Sequence, residues 1–316
     1  MNTPRLIQVS HEDPAALRAE VLAGLAAEPA VLAPKFFYDG LGARLFSAIT
    51  ALPEYYPTRT EAAIFRDHLD AIAAAVGPAP TLVDLGAGNC EKAARLLEPL
   101  AVQRYVAVDI AAEYLLSALD RLQYEHPNRE LLGIGLDFSR QLVLPDEVGP
   151  GPRLLFYPGS SIGNFDPGAA LDFLRQVRAA CAGGRLLIGV DLVKGVEVLE
   201  PAYDDALGVT AAFNRNLLLH LNRLIGADFA LADWRHVAFY EGAASRIEMH
   251  LEAVRAVTVR WPDGERRFAR GERIHTERSY KWRLDDFADL LRAAGFKQPR
   301  AWRDAQDWFA VFAADA

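Results

Sequence analysis

The chain reads as an α/β protein built on a doubly wound parallel sheet, with a second, smaller α+β domain inserted late as a cap. Three observations predict this. From about residue 80, short leucine-rich or β-branched runs alternate with longer helical stretches. The run TLVDLG at 81–86 leads directly into the glycine turn of GAGNC. After residue 193 the rhythm breaks, and it resumes only at 284.

The elements follow in order. The first ~75 residues are rich in aromatics and carry no strand run, so they are expected to join the cap. Strands are expected at 81–86, 104–110 (RYVAVDI), 131–136 (LLGIGL), 153–159 (RLLFYPG) and 185–193 (RLLIGVDLV), each followed by a turn or a helix start. Residues 201–224 read as one long helix, and 245–261 (SRIEMHLEAVRAVTVRW) alternate as an antiparallel strand pair would. The stretch 284–296 is an amphipathic helix closed by Gly295, and DWFAVFAA at 307–314 is a buried strand. The expected division is 60–196 with 284–316 for the nucleotide-binding domain, and 1–59 with 197–283 for the cap. No internal repeat or low-complexity segment interrupts it.

Composition narrows the partners. The 316 residues carry a formal net charge of −8 and no Lys/Arg run, which offers no footprint to nucleic acid or to an anionic membrane. A small-molecule substrate is the expectation. Cys90 and Cys181 are the two cysteines, too few for a disulfide framework or a zinc cluster. The N-terminus has no basic stretch leading into an apolar core, and no apolar run approaches the ~18 residues of a membrane span. A cytoplasmic monomer is expected.

The glycine turn says which nucleotide. A dinucleotide fingerprint needs a third glycine for close packing at the pyrophosphate. Here Gly86 and Gly88 are present, but the third position is Glu91. An acid there suits a cationic ligand better than a diphosphate, which sets a nicotinamide oxidoreductase well behind. Asp109 ends the next strand, where an acid accepts from ribose hydroxyls, and Asp137 and Phe138 end the third, where they can meet an adenine amino group and cover its ring. The combination points to S-adenosylmethionine. Each acid taken alone also reads as a helix cap. Lys92 reads equally as a partner for the methionine carboxylate or as a solvated helix cation. His220, His236, His250 and His275 have no metal-ligand spacing, so no metal is expected. No serine–histidine–acid set, nucleophile elbow or P-loop occurs.

Seven ordered blocks then carry a family likeness from about residue 34 onward: KFFYDGLGARLF, LPEYYPTRTEA, LGAGNCEK, GSSIGNFDP, DLVKGVEVLEPAYDDALGVTAAFNRN, RIEMHLEA and ERIHTERSYKW. In these the chain resembles the S-adenosylmethionine-dependent histidine Nα-methyltransferases of ergothioneine biosynthesis. The resemblance implies a class I methyltransferase fold and three successive methyl transfers to the α-amino group of histidine, giving hercynine. It implies that Tyr55, Asn164 and Tyr203 hold the backbone end of the amino acid and that Tyr38 lies near the reacting nitrogen and the cofactor. It implies that Glu277 and Ser279 read the imidazole in a pocket also lined by Thr210 and Met249. The turn GAGNCEK departs from the family's serine- and threonine-rich version, and GSSIGNF from GSTIGNL; both leave backbone donors intact.

Without the resemblance the same residues have plainer readings. Asn164 before Asp-Pro is turn chemistry, Glu277 is a solvent-facing charge in an alternating stretch, and Met249 is core packing. Two other functions stay open beside histidine methylation: an Nα-methyltransferase for another amino acid such as tryptophan, which Glu277 and Met249 disfavour, and a sensor that binds both ligands without turnover.

Overall fold

The computed structural model describes residues 2–9 and 13–316. They divide into two compact units. The first holds the described residues within Met1–Ser10, Pro57–Val193 and Lys281–Ala316, and the second those within His11–Tyr56 and Lys194–Tyr280.

The first unit is built on an eight-stranded sheet in the spatial order Arg5–Gln8, Glu130–Gly135, Arg104–Asp109, Thr81–Leu85, Leu154–Tyr157, Arg185–Asp191, Phe309–Asp315, Lys297–Arg303. The first six strands are parallel and the last two antiparallel. Continuous apolar runs explain the parallel part, because such strands are covered on both faces: in Leu154–Tyr157 every residue is buried. Crossover helices start where the sequence caps them. The helix Pro167–Ala180 begins on Asp166, whose carboxylate accepts from the Ala169 N–H, with proline at its first position. Truncating a fully buried ring of this core such as Phe156, 0% exposed, is expected to cost about 3–5 kcal/mol. The strand Thr81–Leu85 has Arg104–Asp109 on one side and Leu154–Tyr157 on the other. The winding reverses there, so the crevice beyond its carboxyl end is where such a sheet takes ligands.

The second unit contains a four-stranded sheet in the order Ala30–Val31, Arg273–Tyr280, Arg246–Ala253, Trp234–Glu241, together with the hairpin Val257–Trp261/Gly264–Phe268. The helix Val209–Ile225 buries Phe213, Leu217, Leu218, Leu221 and Ile225, and the helix Gly40–Ile49 starts on Asp39, which accepts from the Gly42 N–H at 2.7 Å. A Cβ on Gly42 would sit 1.7 Å from the Phe37 carbonyl oxygen, so only glycine fits this close approach.

The strands Trp234–Glu241, Gly264–Phe268 and Arg273–Tyr280 of the second unit go beyond the sequence reading, which the structure also changes at four other places. Arg5–Gln8, assigned to the cap, is an edge strand of the large sheet, pairing in parallel with Glu130–Gly135; RLIQ is short and mostly exposed, so it leaves no apolar signature. The long helix starts at Val209 and not at 201, because Gly208 takes a left-handed φ of 74° and the Asp205 carboxylate accepts from the Val209 and Thr210 N–H groups. The two strands within 245–261 exist but do not pair with each other: Val257–Trp261 pairs with Gly264–Phe268, and Arg246–Ala253 lies between two other strands. Lys297–Arg303 is a further edge strand, too polar to show by alternation. Among the described residues no helix is long and apolar enough to cross a membrane.

Candidate functional site

In the first unit the glycine turn leaves the central strand with Gly86 at φ 73° and Gly88 at φ 52°, a backbone path that favours glycine at both positions. A Cβ on Gly88 would meet nothing within 4 Å, so the turn borders open space; one on Gly86 would touch the Phe138 ring at 3.8 Å. Asp109 ties the next strand to this turn. Its Oδ2 accepts from the Gly88 N–H at 2.9 Å and its Oδ1 from the Ala111 N–H at 2.9 Å. Burial pushes its carboxyl above the ordinary range, against the pull of those two N–H groups. A carboxylate has lone pairs beyond these two bonds. Asp137 is buried and accepts from the Ser139 N–H and hydroxyl, while Phe138 packs edge-on against Tyr157 at 5.9 Å between ring centroids.

Lys92 is not simply a helix cation. Its Nζ pairs at 2.6 Å with Glu61, a carboxylate 1% exposed, whose other oxygen accepts from the Gly159 N–H at 2.8 Å. Gly189 leaves room for this carboxylate, since a Cβ there would fall 2.1 Å from Glu61 Oε1 and displace it. Gly159 opens the turn that ends in Asn164, the last residue of the short 3₁₀ segment Ser161–Asn164. In that turn Ser160 holds a left-handed φ of 61°, and its Oγ accepts from the Asp191 N–H at 2.8 Å. Asp191 in turn pairs with Lys281 at 2.8 Å, with both side chains at most 1% exposed.

The donor set fits S-adenosylmethionine. Three carboxylates, Asp84, Asp109 and Asp137, stand at consecutive strand ends, and Lys92 is committed to Glu61. Asp84 Oδ2 accepts from the Tyr105 hydroxyl at 2.8 Å, and its Oδ1 is buried with no partner among the described residues. An orphaned buried acceptor in an acidic turn suits a ligand bearing positive charge and repels a pyrophosphate.

In the second unit Tyr38, Phe46, Tyr55 and Tyr203 form a chain of edge-on rings, with centroids 5.7, 6.1 and 6.3 Å apart in turn. The Tyr203 hydroxyl donates to Ser279 Oγ at 2.9 Å. Glu277 is the cross-strand partner of Met249, and Ser279 that of Ile247. Thr210 is buried in the first turn of the helix Val209–Ile225, and Phe213, one turn further on, packs on Tyr38 at 5.8 Å. Each unit therefore gathers its own sequence-predicted residues.

A β-bulge explains the position of Glu277. Strict alternation from Ile274 would send Glu277 and Ser279 to the opposite face from Ile274. The ladder instead shifts between His275 and Glu277: His275 faces His250, yet Glu277 faces Met249, so Thr276 is the extra residue. Its hydroxyl donates to the Met249 carbonyl at 3.0 Å, and it is fully buried. The bulge returns Glu277 and Ser279 to the face that holds Ile274, Met249 and Ile247.

Sequence reasoning missed three more supports. His236 Nε2 donates to the Tyr203 carbonyl at 2.8 Å, and Asn214 Nδ2 donates to His236 Nδ1 at 2.8 Å and to the His250 carbonyl at 3.0 Å. Burial holds this imidazole below its ordinary pKa, so it is neutral at pH 7 and fixes the backbone behind the Tyr203 ring. Glu61 was the more legible omission: a lone acid in the apolar stretch EAAIF of a helix is a signal that it has a buried partner.

A doubly wound sheet with a glycine turn and strand-end acids at its switch point defines a class I methyltransferase. Comparison with known proteins narrows the class. The model of the histidine-specific, S-adenosylmethionine-dependent methyltransferase family matches residues 17–316, and the chain belongs to that family. It is 44% identical over 296 residues to the Histidine N-alpha-methyltransferase of Mycolicibacterium smegmatis, covering 92% of this chain and 91% of that one. It is 42% identical over 297 residues to the protein of the same name from Mycobacterium tuberculosis, with coverage of 92% and 91%. Ergothioneine biosynthesis protein 1 of Neurospora crassa is 30% identical over 285 residues, which span 87% of this chain and 32% of that longer protein.

Proposed function

We propose that this chain transfers methyl groups from S-adenosylmethionine to the α-amino nitrogen of L-histidine, three times in succession, giving hercynine for ergothioneine synthesis. The observation that carries the substrate is the bulge-directed placement of Glu277 and Ser279 beside Met249 and against Tyr203, in a family whose relatives bear histidine Nα-methylation in their names. A carboxylate that accepts from an imidazole N–H selects histidine, because a neutral apolar side chain offers it no donor.

When bound, S-adenosylmethionine supplies an electrophilic methyl group on a sulfonium and leaves as S-adenosylhomocysteine. From the first unit, Gly86 and Gly88 admit the nucleoside, Asp109 offers its remaining lone pairs to the ribose hydroxyls, and Asp137 and Phe138 take the adenine. Lys92, anchored by Glu61, has further N–H donors with which to hydrogen-bond the methionine carboxylate. The family likeness assigns hydrogen bonds to the amino acid's backbone end to Asn164, and likewise to Tyr55 and Tyr203. Each is uncharged and so does not trap the amine as ammonium. Thr210 and Met249 line the side-chain pocket. The amine must shed a proton before each attack; a bound water takes it, either directly or through the Tyr38 hydroxyl acting as a relay that gives its own proton to water as it receives the amine's, while an aromatic face such as that of Tyr38 favours the increasingly methylated nitrogen through cation–π attraction. Positioning of this kind supplies several kcal/mol without acid catalysis, because the leaving group is already good. We place the chain in the cytoplasm as a monomer, in keeping with two free, buried cysteines.

The test is mass spectrometry of the purified chain with S-adenosylmethionine and an equimolar mixture of the twenty amino acids. Loss of histidine with appearance of its mono-, di- and trimethyl forms is expected. Methylation of another amino acid in its place would overturn the reading of Glu277, and ligand binding without any product would favour a sensor.

A further inference from the structure

Along the strand Arg246–Ala253, alternation puts Arg246, Glu248, His250 and Glu252 on the face opposite Met249. His275 shares that face as the cross-strand partner of His250. Ligand-capable atoms of Glu248, His250 and His275 all lie within 4.8 Å of one another. His250 is 9% exposed; its ring stacks on Phe239 with centroids 5.4 Å apart and meets His275 edge-on at 5.0 Å. Its Nε2 lies 2.9 Å from Glu248 Oε2, while its Nδ1 is buried with no hydrogen-bond partner among the described residues. A buried ring nitrogen left without a partner calls for an occupant.

We propose that Glu248, His250 and His275 form a binding site for a divalent transition-metal ion of the zinc type, outside the residues assigned to methyl transfer. Two imidazoles and one carboxylate are a nitrogen and oxygen donor set that zinc accepts, with positions left for water. Arg246 Nε holds the other oxygen of Glu248 at 2.7 Å and fixes the orientation of that carboxylate, as outer partners of metal ligands do. Its positive charge, with that of Arg278, makes the site selective for an ion that bonds strongly to nitrogen over one held by charge alone. Sequence spacing hides the site, because His275 comes from the neighbouring strand.

The experiment is calorimetric titration of tag-free, chelator-treated protein with Zn²⁺ at pH 7.5, paired with visible absorption on adding Co²⁺. The wild type is expected to take up one ion per chain saturably, to show cobalt ligand-field bands, and to melt at a higher temperature with Zn²⁺ present. Glu248→Gln and the partly exposed His275→Gln should each bind at least ten times more weakly and lose the bands, with circular dichroism unchanged. Absence of saturable uptake by the wild type overturns the proposal, as does full uptake by whichever of the two variants folds.

Discussion

A carboxylate that reads an imidazole acts as much through what it refuses as through what it binds. In its proposed role Glu277, half-buried and facing Met249, loses a hydrogen-bond partner when the ligand has no matching N–H. Glu277→Gln keeps the shape and removes the charge. A hydrogen bond to a charged group contributes roughly 1.5–3 kcal/mol, so the KM for histidine is expected to rise by about ten- to a hundredfold. The dissociation constant of S-adenosylmethionine for the free enzyme should not move. Steady-state kinetics and calorimetry on the same preparation check both halves, and an unchanged KM removes Glu277 from the substrate site.

At the scale of the element, the bulge at Thr276 decides which face of the strand Glu277 and Ser279 occupy. Thr276→Val deletes the hydroxyl that bonds the Met249 carbonyl, at a cost near 1 kcal/mol in positioning. The KM for histidine is expected to rise several-fold with cofactor affinity preserved, and Thr276→Ser should restore it; if serine fails to rescue, the hydroxyl is not what pins the bulge. The same bulge marks where sequence reading stops. Strands such as 81–86 and 104–110 were legible because they are buried on both faces and need no register to be seen, and the structure returns them as Thr81–Leu85 and Arg104–Asp109. Glu277 in IHTERSYKW read by alternation as a solvent-facing charge, because a one-residue insertion in the ladder has no compositional signature. Asn164 read as turn chemistry for a related reason: its turn is shaped by Gly159 and Ser160 with positive φ, and by the distant partners Glu61 and Asp191. The family likeness supplied what alternation could not, since it matches residues without needing their faces.

Over the whole molecule, the central strand of the first unit carries a titration that opposes stability. Burial pushes the Asp84 carboxyl up to about 7 from 3.8, despite the Tyr105 hydrogen bond that favours its ionised form. Between those values the folded chain holds a proton that the unfolded chain has released, so stability falls as pH rises from about 4 to 7, by about 4 kcal/mol from this group. Asp84→Asn is expected to abolish that part of the pH dependence in urea unfolding at a series of pH values; parallel curves for variant and wild type would show that Asp84 ionises normally. Ligand binding acts on the same balance by mass action, and a cation beside the orphaned Oδ1 would favour the charged form. The two ligand-facing turns of this unit are not independent parts. One carboxylate, Glu61, grips Lys92 after the glycine turn with one oxygen and the Gly159 N–H before Asn164 with the other, braced against Gly189. Mechanically it is a rivet between two turns: a single side chain is bonded to both, so displacing either one strains a bond to the other.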